Sequence, residues 1–368
     1  MTAPELITAE KSKFSEMVKH FSSAWFACVM GTGGLANLLY LLSLLSSSLA
    51  FLKPMALILF WLNIVLFIVI IVPWLLRWFI HFNSLLSDLT HPMMSNFFVT
   101  MPAAAVVLGT NFFVIGKEYF AGSFLDGLGL IMWIVGAILT LAISVFVMFN
   151  IFSQDNIDVE HINFSWFIPP VVGALLPMLG KWLVSAYLIT NTGLAQTINL
   201  LDLVYYGISI TLFVILSGVL LNRFVFNKFP KDALLPTFWI ILGPVGLGSA
   251  ALMDLSDSAK ALNLINSVDT LKLVAIIFWG FGLWALLLTL AITFYYLRRG
   301  KIPFTLSWWA FIFPLAAYAL ASYSIYNYTQ IKLVYWYTLL LAALLIFLWV
   351  LTSVNTISGI IKNKLLLP

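Results

Sequence analysis

The stretch WFIPPVVGALLPMLG, from Trp166 to Gly180, decides the fold because three prolines interrupt an otherwise apolar run. The run extends over residues 163–187, and a helix needs about 20 apolar residues to cross the hydrocarbon core of a bilayer. Proline in a helix interior removes a backbone hydrogen bond and forces a kink. The stretch therefore predicts a membrane-spanning helix with a broken backbone, introduced by an aromatic pair.

Nine other apolar runs of spanning length accompany it, and most of the charged residues fall in the gaps between runs. Backbone groups in lipid must bond internally, so long runs predict helices, and the short alternating strands of a barrel are not seen. The sequence thus predicts an all-α membrane protein of ten transmembrane helices. They lie near 21–45, 54–80, 92–116, 126–152, 163–187, 199–226, 233–255, 271–297, 304–326 and 333–360.

Composition supports a membrane protein and excludes several other classes. Hydrophobic residues make up 62% of the chain and charged residues 9%, whereas a soluble domain carries roughly 25% charged residues. The 14 tryptophans suit two interfacial belts. No basic block accompanies the pI near 9.0, so no nucleic-acid partner is expected. The single cysteine, Cys28, and four scattered histidines give no disulfide framework or ligand spacing, so no metal, cofactor or catalytic residue is predicted.

The odd-numbered and even-numbered segments differ in their helix breakers. Interior prolines or glycines fall in the odd segments, whereas the comparable even-segment proline, Pro73, lies near a helix end. Kinked backbone at membrane depth is tolerated only where it is buried in protein or lines a wet cavity. The odd helices should therefore lie inside. Their candidate helix-break and pore-lining residues are Gly31, Thr32, Gly34, Asn96, Pro102, Pro170, Gly173, Gly243, Pro244 and Pro314.

An aromatic cluster precedes each of these breaks and recurs about every 70 residues, the length of one helical hairpin with its loops. The five clusters are Trp25-Phe26, Phe97-Phe98, Trp166-Phe167, Phe238-Trp239 and Trp308-Trp309. Five tandem hairpins close naturally into a ring. We expect an inner ring of five kinked helices around a pore and an outer ring of five smooth helices.

The distribution of lysine and arginine predicts the orientation. Twelve of these residues fall on the side that holds both termini and six on the other, which places both termini in the cytoplasm of a multi-pass protein of the plasma membrane. The predicted domains are a cytoplasmic tail at 1–20, a transmembrane domain at 21–360 and a second cytoplasmic tail at 361–368. The polar residues 1–20 show no signal-peptide arrangement, so the first apolar run should be retained.

Several strings in the odd segments resemble one known family. They are FSSAWFACVMGTGGLANLL (21–39), HPMMSNFF (91–98), WFIPPVVGALLPMLG (166–180), GPVGLGSAAL (243–252) and WWAFIFPL (308–315). Together they resemble the tellurite-resistance/dicarboxylate transporter family, which includes yeast malate and sulfite permeases and the slow-type anion channels of plant guard cells. The strings occur in the family's order and cover essentially the whole chain.

This resemblance implies a homotrimer in which each protomer holds its own pore, occluded by a phenylalanine just before the proline of the ninth helix. The Phe-Pro step assigns that gate to Phe313. Two positions depart from the family pattern. Val99 stands where many relatives have proline, which leaves Pro102 as the kink of the third helix. Ile312 replaces a hydroxyl residue, which makes the gate region drier.

His91, followed by Pro92, has two interpretations. Proline at the first helical position is a common start signal, so His91 could simply cap the helix at the interface. Alternatively, an imidazole at the pore mouth could attract an anion or carry a proton. Asn96 and Thr32 also have two interpretations each, since either residue could line the pore or bond to a neighbouring helix.

These observations predict a transporter of small anions, such as dicarboxylates, sulfite or inorganic anions, which lies in the bilayer and is gated at Phe313. Lys181 and Asp254 are expected at segment ends, leaving neither a deep cation nor a buried carboxylate in the inner helices. A passive channel and a proton-coupled carrier both remain open. A remote alternative is a membrane enzyme acting on a lipid-linked substrate, suggested only by the lone DxxD of Asp254 and Asp257.

Overall fold

The computed structural model describes residues 13–300 and 302–365, so the outermost parts of the predicted tails lie outside it. The described residues are almost entirely helical and contain no strand. They form ten helices long and apolar enough to cross a bilayer, which confirms the predicted number. Helices 1 to 10 are Ser23–Ser43, Leu52–Ile80, Met94–Val114, Gly122–Phe152, Phe164–Tyr187, Thr192–Phe226, Asp232–Ala261, Asp269–Arg299, Leu306–Thr329 and Lys332–Ile361.

Burial separates the helices into the two predicted rings. In the odd-numbered helices, 78–94% of the residues in the most apolar window are buried inside the protein, against 28–33% in the even-numbered helices. The even helices expose large aliphatic and aromatic side chains, as expected of surfaces that face lipid tails. The odd helices therefore form the inside of the molecule.

The inner ring closes on itself in the order 1, 3, 5, 7, 9 and back to 1, since each inner helix packs against the next. Each even helix packs against its own hairpin partner and against one further inner helix, and helix 10 packs against helix 1. All odd helices start on the side of the molecule where helix 10 ends. We call this side the terminal face and the other side the distal face.

Each inner helix has a break at its start, where a 3₁₀ segment that contains all or part of its aromatic cluster leads into an α-helix. Helix 5 is interrupted a second time, by the 3₁₀ segment Val172–Leu175 between its α-helical parts Ile168–Val171 and Leu176–Tyr187. Pro102, Pro170, Pro244 and Pro314 each occupy the third position of the α-helical part, and proline is tolerated in a first helical turn. The prolines thus mark a 3₁₀-to-α joint, where a mid-helix kink was predicted.

The breaks predicted at the glycines of helix 1 are not found. Its α-helical part runs without interruption from Phe26 to Ser43, through Gly31 and Gly34. These glycines permit close packing: a Cβ on Gly31 would lie 2.9 Å from Ile312 Cγ2, and one on Gly34 would lie 2.8 Å from the Ala316 Cβ. The glycines of helix 1 bring helix 9 close, and the backbone break lies earlier, at the segment Ser23–Trp25.

Polar side chains join the rings. Asn63 of helix 2 donates to Asn111 of helix 3 at 2.8 Å, and Asn111 donates to the Gly33 carbonyl at 2.9 Å. Tryptophans predicted for interfacial belts also donate indole N–H groups to side chains on other helices, over 2.8–3.2 Å. These pairs are Trp74–Ser23, Trp133–Asp202, Trp239–Thr293, Trp279–Ser322, Trp309–Thr356 and Trp349–Thr32. Such bonds fix the rotation of one helix against another in an apolar medium.

The connection between helices 2 and 3 contains a short helix, Phe82–Thr90, that the sequence reading treated as a gap. Arg77, at the end of helix 2, is 3% exposed. It donates to the Phe21 carbonyl at 2.9 Å and forms an ion pair with Asp88 of the short helix at 2.8 Å. Arg77 therefore fixes the short helix to the start of helix 1 on the terminal face.

Gly246 provides a test of the inner ring. A Cβ at this position would overlap the Tyr318 backbone of helix 9, and overpacking of this kind costs about 1–3 kcal/mol. We expect Gly246→Ala to lower the thermal unfolding temperature of the purified protein. Gly280→Ala on outer helix 8 is the matched control, because a Cβ there meets nothing within 4 Å. Equal unfolding temperatures for the two variants would contradict the close approach of helices 7 and 9.

Candidate functional site

Two small cavities lie inside the inner ring. The first, of about 70 Å³, is on the terminal-face side, and its walls come from all five inner helices, at the level of the 3₁₀-to-α joints. The second, of about 20 Å³, lies further along the same helices towards the distal face. Residues of all five inner helices line both cavities, so we refer to the line through them as the axial path.

Phe313 and Leu247 line both cavities and therefore lie at the constriction between them. Phe313 is the second residue of the α-helical part of helix 9, directly before Pro314. Its side chain is partly exposed, whereas Ile312 and Pro314 on either side are buried. The residue at the joint in helix 9 thus presents an aromatic ring between the two cavities of the axial path.

The cavity walls are almost entirely apolar, and no charged side chain is among the residues that line them. In the first cavity, Thr100 donates to the Ser23 carbonyl and Thr237 to the Leu234 carbonyl, both at 2.6 Å. In the second, Thr110 donates to the Val106 carbonyl at 3.0 Å. These hydroxyl protons are engaged by the backbone, so the threonines offer the path mainly acceptor oxygens and methyl groups.

Asn37 is different, and the sequence analysis missed it. It lines the second cavity, is 4% exposed, and its side-chain oxygen has no hydrogen-bond partner among the described residues. A buried amide without partners costs free energy, so it is a candidate for contact with a polar solute. A sequence signal existed: Asn37 follows Gly34 by three residues, on the same face of helix 1.

Four of the predicted pore-lining residues lie at the cavities. Gly243, Pro244 and Pro314 line the first, and Gly34 lines the second. With Phe313, they come from helices 1, 7 and 9. The structure brings these five residues together around the axial path.

The other predicted residues of helices 1 and 5 point elsewhere. Gly31 packs against Ile312, and a Cβ on Gly173 would lie 2.7 Å from Ser209 of outer helix 6. Thr32 accepts a hydrogen bond from Trp349 of outer helix 10 at 3.0 Å. None of these three residues lines a cavity. Gly31 and Thr32 contribute to helix packing, and Gly173 lies in the 3₁₀ segment Val172–Leu175 that interrupts helix 5.

Asn96, Pro102 and Pro170 are also absent from the cavity walls. The Asn96 amide donates to the Pro92 and Met93 carbonyls at 3.1 and 3.2 Å, and to Ser165 Oγ of neighbouring helix 5 at 3.4 Å. Pro102 and Pro170 mark the joints of helices 3 and 5.

His91 caps the start of helix 3. Its Nδ1 accepts hydrogen bonds from the backbone N–H groups of Met93 at 3.1 Å and Met94 at 3.3 Å. The ring lies 5.0 Å from that of His161, edge to face. Burial lowers the pKa of His91, and His161 lowers it further. The neutral ring is the form that can accept these bonds, which fits the capping interpretation, and His91 lines neither cavity.

The expected absence of a buried carboxylate in the inner helices is wrong, and Lys181 and Asp254 both lie inside helices, not at segment ends. Lys181 lies inside helix 5, six residues before its end, and pairs with Asp254 of helix 7 at 2.7 Å. The Asp254 side chain is only 14% exposed. Asp257 of the DxxD pairs separately with Lys272 at 2.6 Å. Each carboxylate is thus engaged by its own lysine, and the described residues hold no cluster of three or more metal-ligating side chains.

Comparison with known proteins agrees with this architecture. Residues 20–357 match the family described as voltage-dependent anion channel. An uncharacterized transporter of Methanocaldococcus jannaschii is 35% identical over 98% of this chain and 99% of its own. A sulfite efflux pump of Arthroderma benhamiae is 28% identical over 83% and 81% of the two chains, and a malic acid transport protein of Schizosaccharomyces pombe is 22% identical over 98% and 83%. The chain is therefore a multi-pass membrane protein that belongs to the voltage-dependent anion channel family.

Proposed function

We propose that this protein moves small anions across the membrane along the axial path, and that Phe313, packed beside Leu247, is the gate. The observation that carries the proposal is that Phe313 lines both cavities at their shared constriction. An aromatic ring in an apolar neck obstructs an ion by excluding its hydration shell. Malate-like dicarboxylates, sulfite and inorganic anions are the candidate substrates, since relatives are named for malic acid transport and sulfite efflux.

The walls of the path support weak anion binding. The α-helical parts of helices 3, 5, 7 and 9 begin at residues beside the first cavity. Helix N-termini carry partial positive charge, which favours an anion without fixing it. An ion must leave a pore as easily as it enters, so the lack of a lining cation at the cavities suits conduction.

Passive conduction is favoured over proton coupling, because no titratable side chain lines either cavity. A carrier that couples anion and proton movement needs a group that binds and releases protons along the path. The carboxylate of Asp254 lies beyond the second cavity, and there it is bound to the Lys181 ammonium at 2.7 Å. We propose a channel-like mechanism, in which flux follows the electrochemical gradient of the anion alone.

For the assembly and the membrane we propose a homotrimer in the plasma membrane, with one axial path in each protomer and both termini in the cytoplasm. The trimer follows from the family resemblance. The orientation follows from the excess of lysine and arginine on the terminal face.

Replacement of the gate tests the proposal directly. We expect Phe313→Ala to raise the initial rate of sulfite or malate uptake into proteoliposomes by at least about tenfold, which a barrier lowered by about 1.4 kcal/mol would produce. Phe347→Ala on lipid-facing helix 10, where the side chain is 62% exposed, is the matched control and should leave the rate unchanged. If no anion moves in the wild type or in Phe313→Ala, the proposed function is wrong.

The mechanism has its own test. In vesicles with equal anion concentrations and no membrane potential, an imposed pH gradient should drive no net anion flux through a passive path. An anion gradient of the same size, imposed at uniform pH, should drive flux. Accumulation of sulfite or malate against its gradient, powered by the pH difference and abolished by a protonophore, would favour the proton-coupled carrier.

Two exposed serines test the orientation. Ser48 lies between helices 1 and 2 on the distal face, and Ser153 lies between helices 4 and 5 on the terminal face. In intact cells a membrane-impermeant maleimide should label Ser48→Cys and spare Ser153→Cys. The native Cys28 is buried, so the unmodified protein serves as a blank. The reverse labelling pattern would place both termini outside.

A further inference from the structure

Asp254 lies on the face of helix 7 that borders the axial path. Leu247, seven residues earlier, lines both cavities, and residues seven apart lie on the same face of an α-helix, about 10 Å apart along its axis. The chain of helix 7 runs towards the distal face. Asp254 therefore stands about two turns beyond the gate, on the distal side of the second cavity.

Lys181 reaches this position from helix 5. Met178, three residues earlier, lines the second cavity. Gly180 faces outwards, since a Cβ there would overlap the Asp202 carboxylate of outer helix 6. The Lys181 ammonium lies 2.7 Å from Asp254 Oδ1. The ion pair therefore joins helices 5 and 7 on the side that borders the axial path.

The Lys181 ammonium already binds one anionic group, the carboxylate of Asp254 in the same protein. The lysine side chain is 36% exposed and the aspartate 14%, so both charges are partly removed from water. The carboxylate bound to the ammonium has the same chemistry as a carboxylate solute. If a solute replaced Asp254, the displaced carboxylate would remain within one helical turn of Asp257, which pairs with Lys272 at 2.6 Å.

We propose that Lys181 is the anion-binding residue at the distal end of the axial path, and that Asp254 is a tethered competitor which a small oxyanion must displace. The oxyanion is of the carboxylate or sulfite class. This inference rests on the proposed transport function and deepens it, since it assigns recognition to the distal end and leaves the barrier at Phe313. It also predicts opposite effects for the two partners of one ion pair.

The experiment measures the anion concentration that gives half-maximal uptake, for malate and for sulfite, in proteoliposomes. The variants are made in the Phe313→Ala background to raise the signal, and again in the wild-type background. Lys181→Gln removes the ammonium and should raise the half-saturating concentration by about tenfold, the effect of one charged hydrogen bond. Asp254→Asn removes the competitor and should lower that concentration severalfold. Lys53→Gln, which neutralises the lysine of a 2.7 Å pair with Glu118 on the same face, is the matched control and should change nothing.

A purely structural ion pair gives a different pattern. If the pair only joins helices 5 and 7, Lys181→Gln and Asp254→Asn should both lower thermal stability and the maximal rate, and neither should shift the half-saturating concentration. Shifts of the same sign in both variants, or none, would overturn the inference while transport itself persists. Complete absence of uptake in every protein, the wild type and Phe313→Ala included, would instead overturn the proposed function. Thermal unfolding of each variant identifies any that fail to fold.

Discussion

Every backbone N–H and C=O group inside a bilayer must find a partner within the protein, and the architecture depends on this requirement. Each inner helix changes from 3₁₀ to α geometry near its start, and such joints loosen regular hydrogen bonding. A joint of this kind facing lipid would expose polar backbone to hydrocarbon at a cost of several kcal/mol per group. The outer ring of long, uninterrupted helices covers the joints, so the irregular backbone and the axial path occupy the same protected place.

The close packing of the inner ring follows from that enclosure. Gly246 meets the Tyr318 backbone, and Gly31 and Gly34 admit Ile312 and Ala316, so helix 9 lies tightly between helices 7 and 1. With three helices this close, little space is left on the axis, and the described cavities are only about 70 and 20 Å³. One aromatic ring is then enough to separate them. The constriction at Phe313 is therefore a consequence of glycine positions as much as of the phenylalanine itself.

The sequence predicts the features that recur along the chain, but it does not predict how each helix is rotated about its own axis. Five apolar hairpins, their order and the breakers of the odd helices are all local properties of the chain. Which way a breaker faces depends on the neighbours that pack against it, so Pro244 and Pro314 line the path whereas Pro102 and Pro170 do not.

Thr32 is turned outwards by Trp349, 317 residues away along the chain. Lys181 and Asp254 are 73 residues apart, and no spacing rule pairs them. A residue whose role depends on a partner far away in the sequence cannot be identified from the local sequence pattern.

The distribution of charge along the axial path fits the proposed passage of small anions. A cation buried at the dry constriction would need a partner there, because an isolated charge in an apolar site is strongly unfavourable; it would also hold a passing anion too tightly for release. At the distal end both constraints relax, since Lys181 is partly exposed and already neutralised by Asp254. The resting protein thus needs no bound counter-ion. If the proposed roles are right, recognition at Lys181 and obstruction at Phe313 can be altered separately, because Asp254, which holds Lys181, lies about two helical turns from Leu247, which lines both cavities beside Phe313.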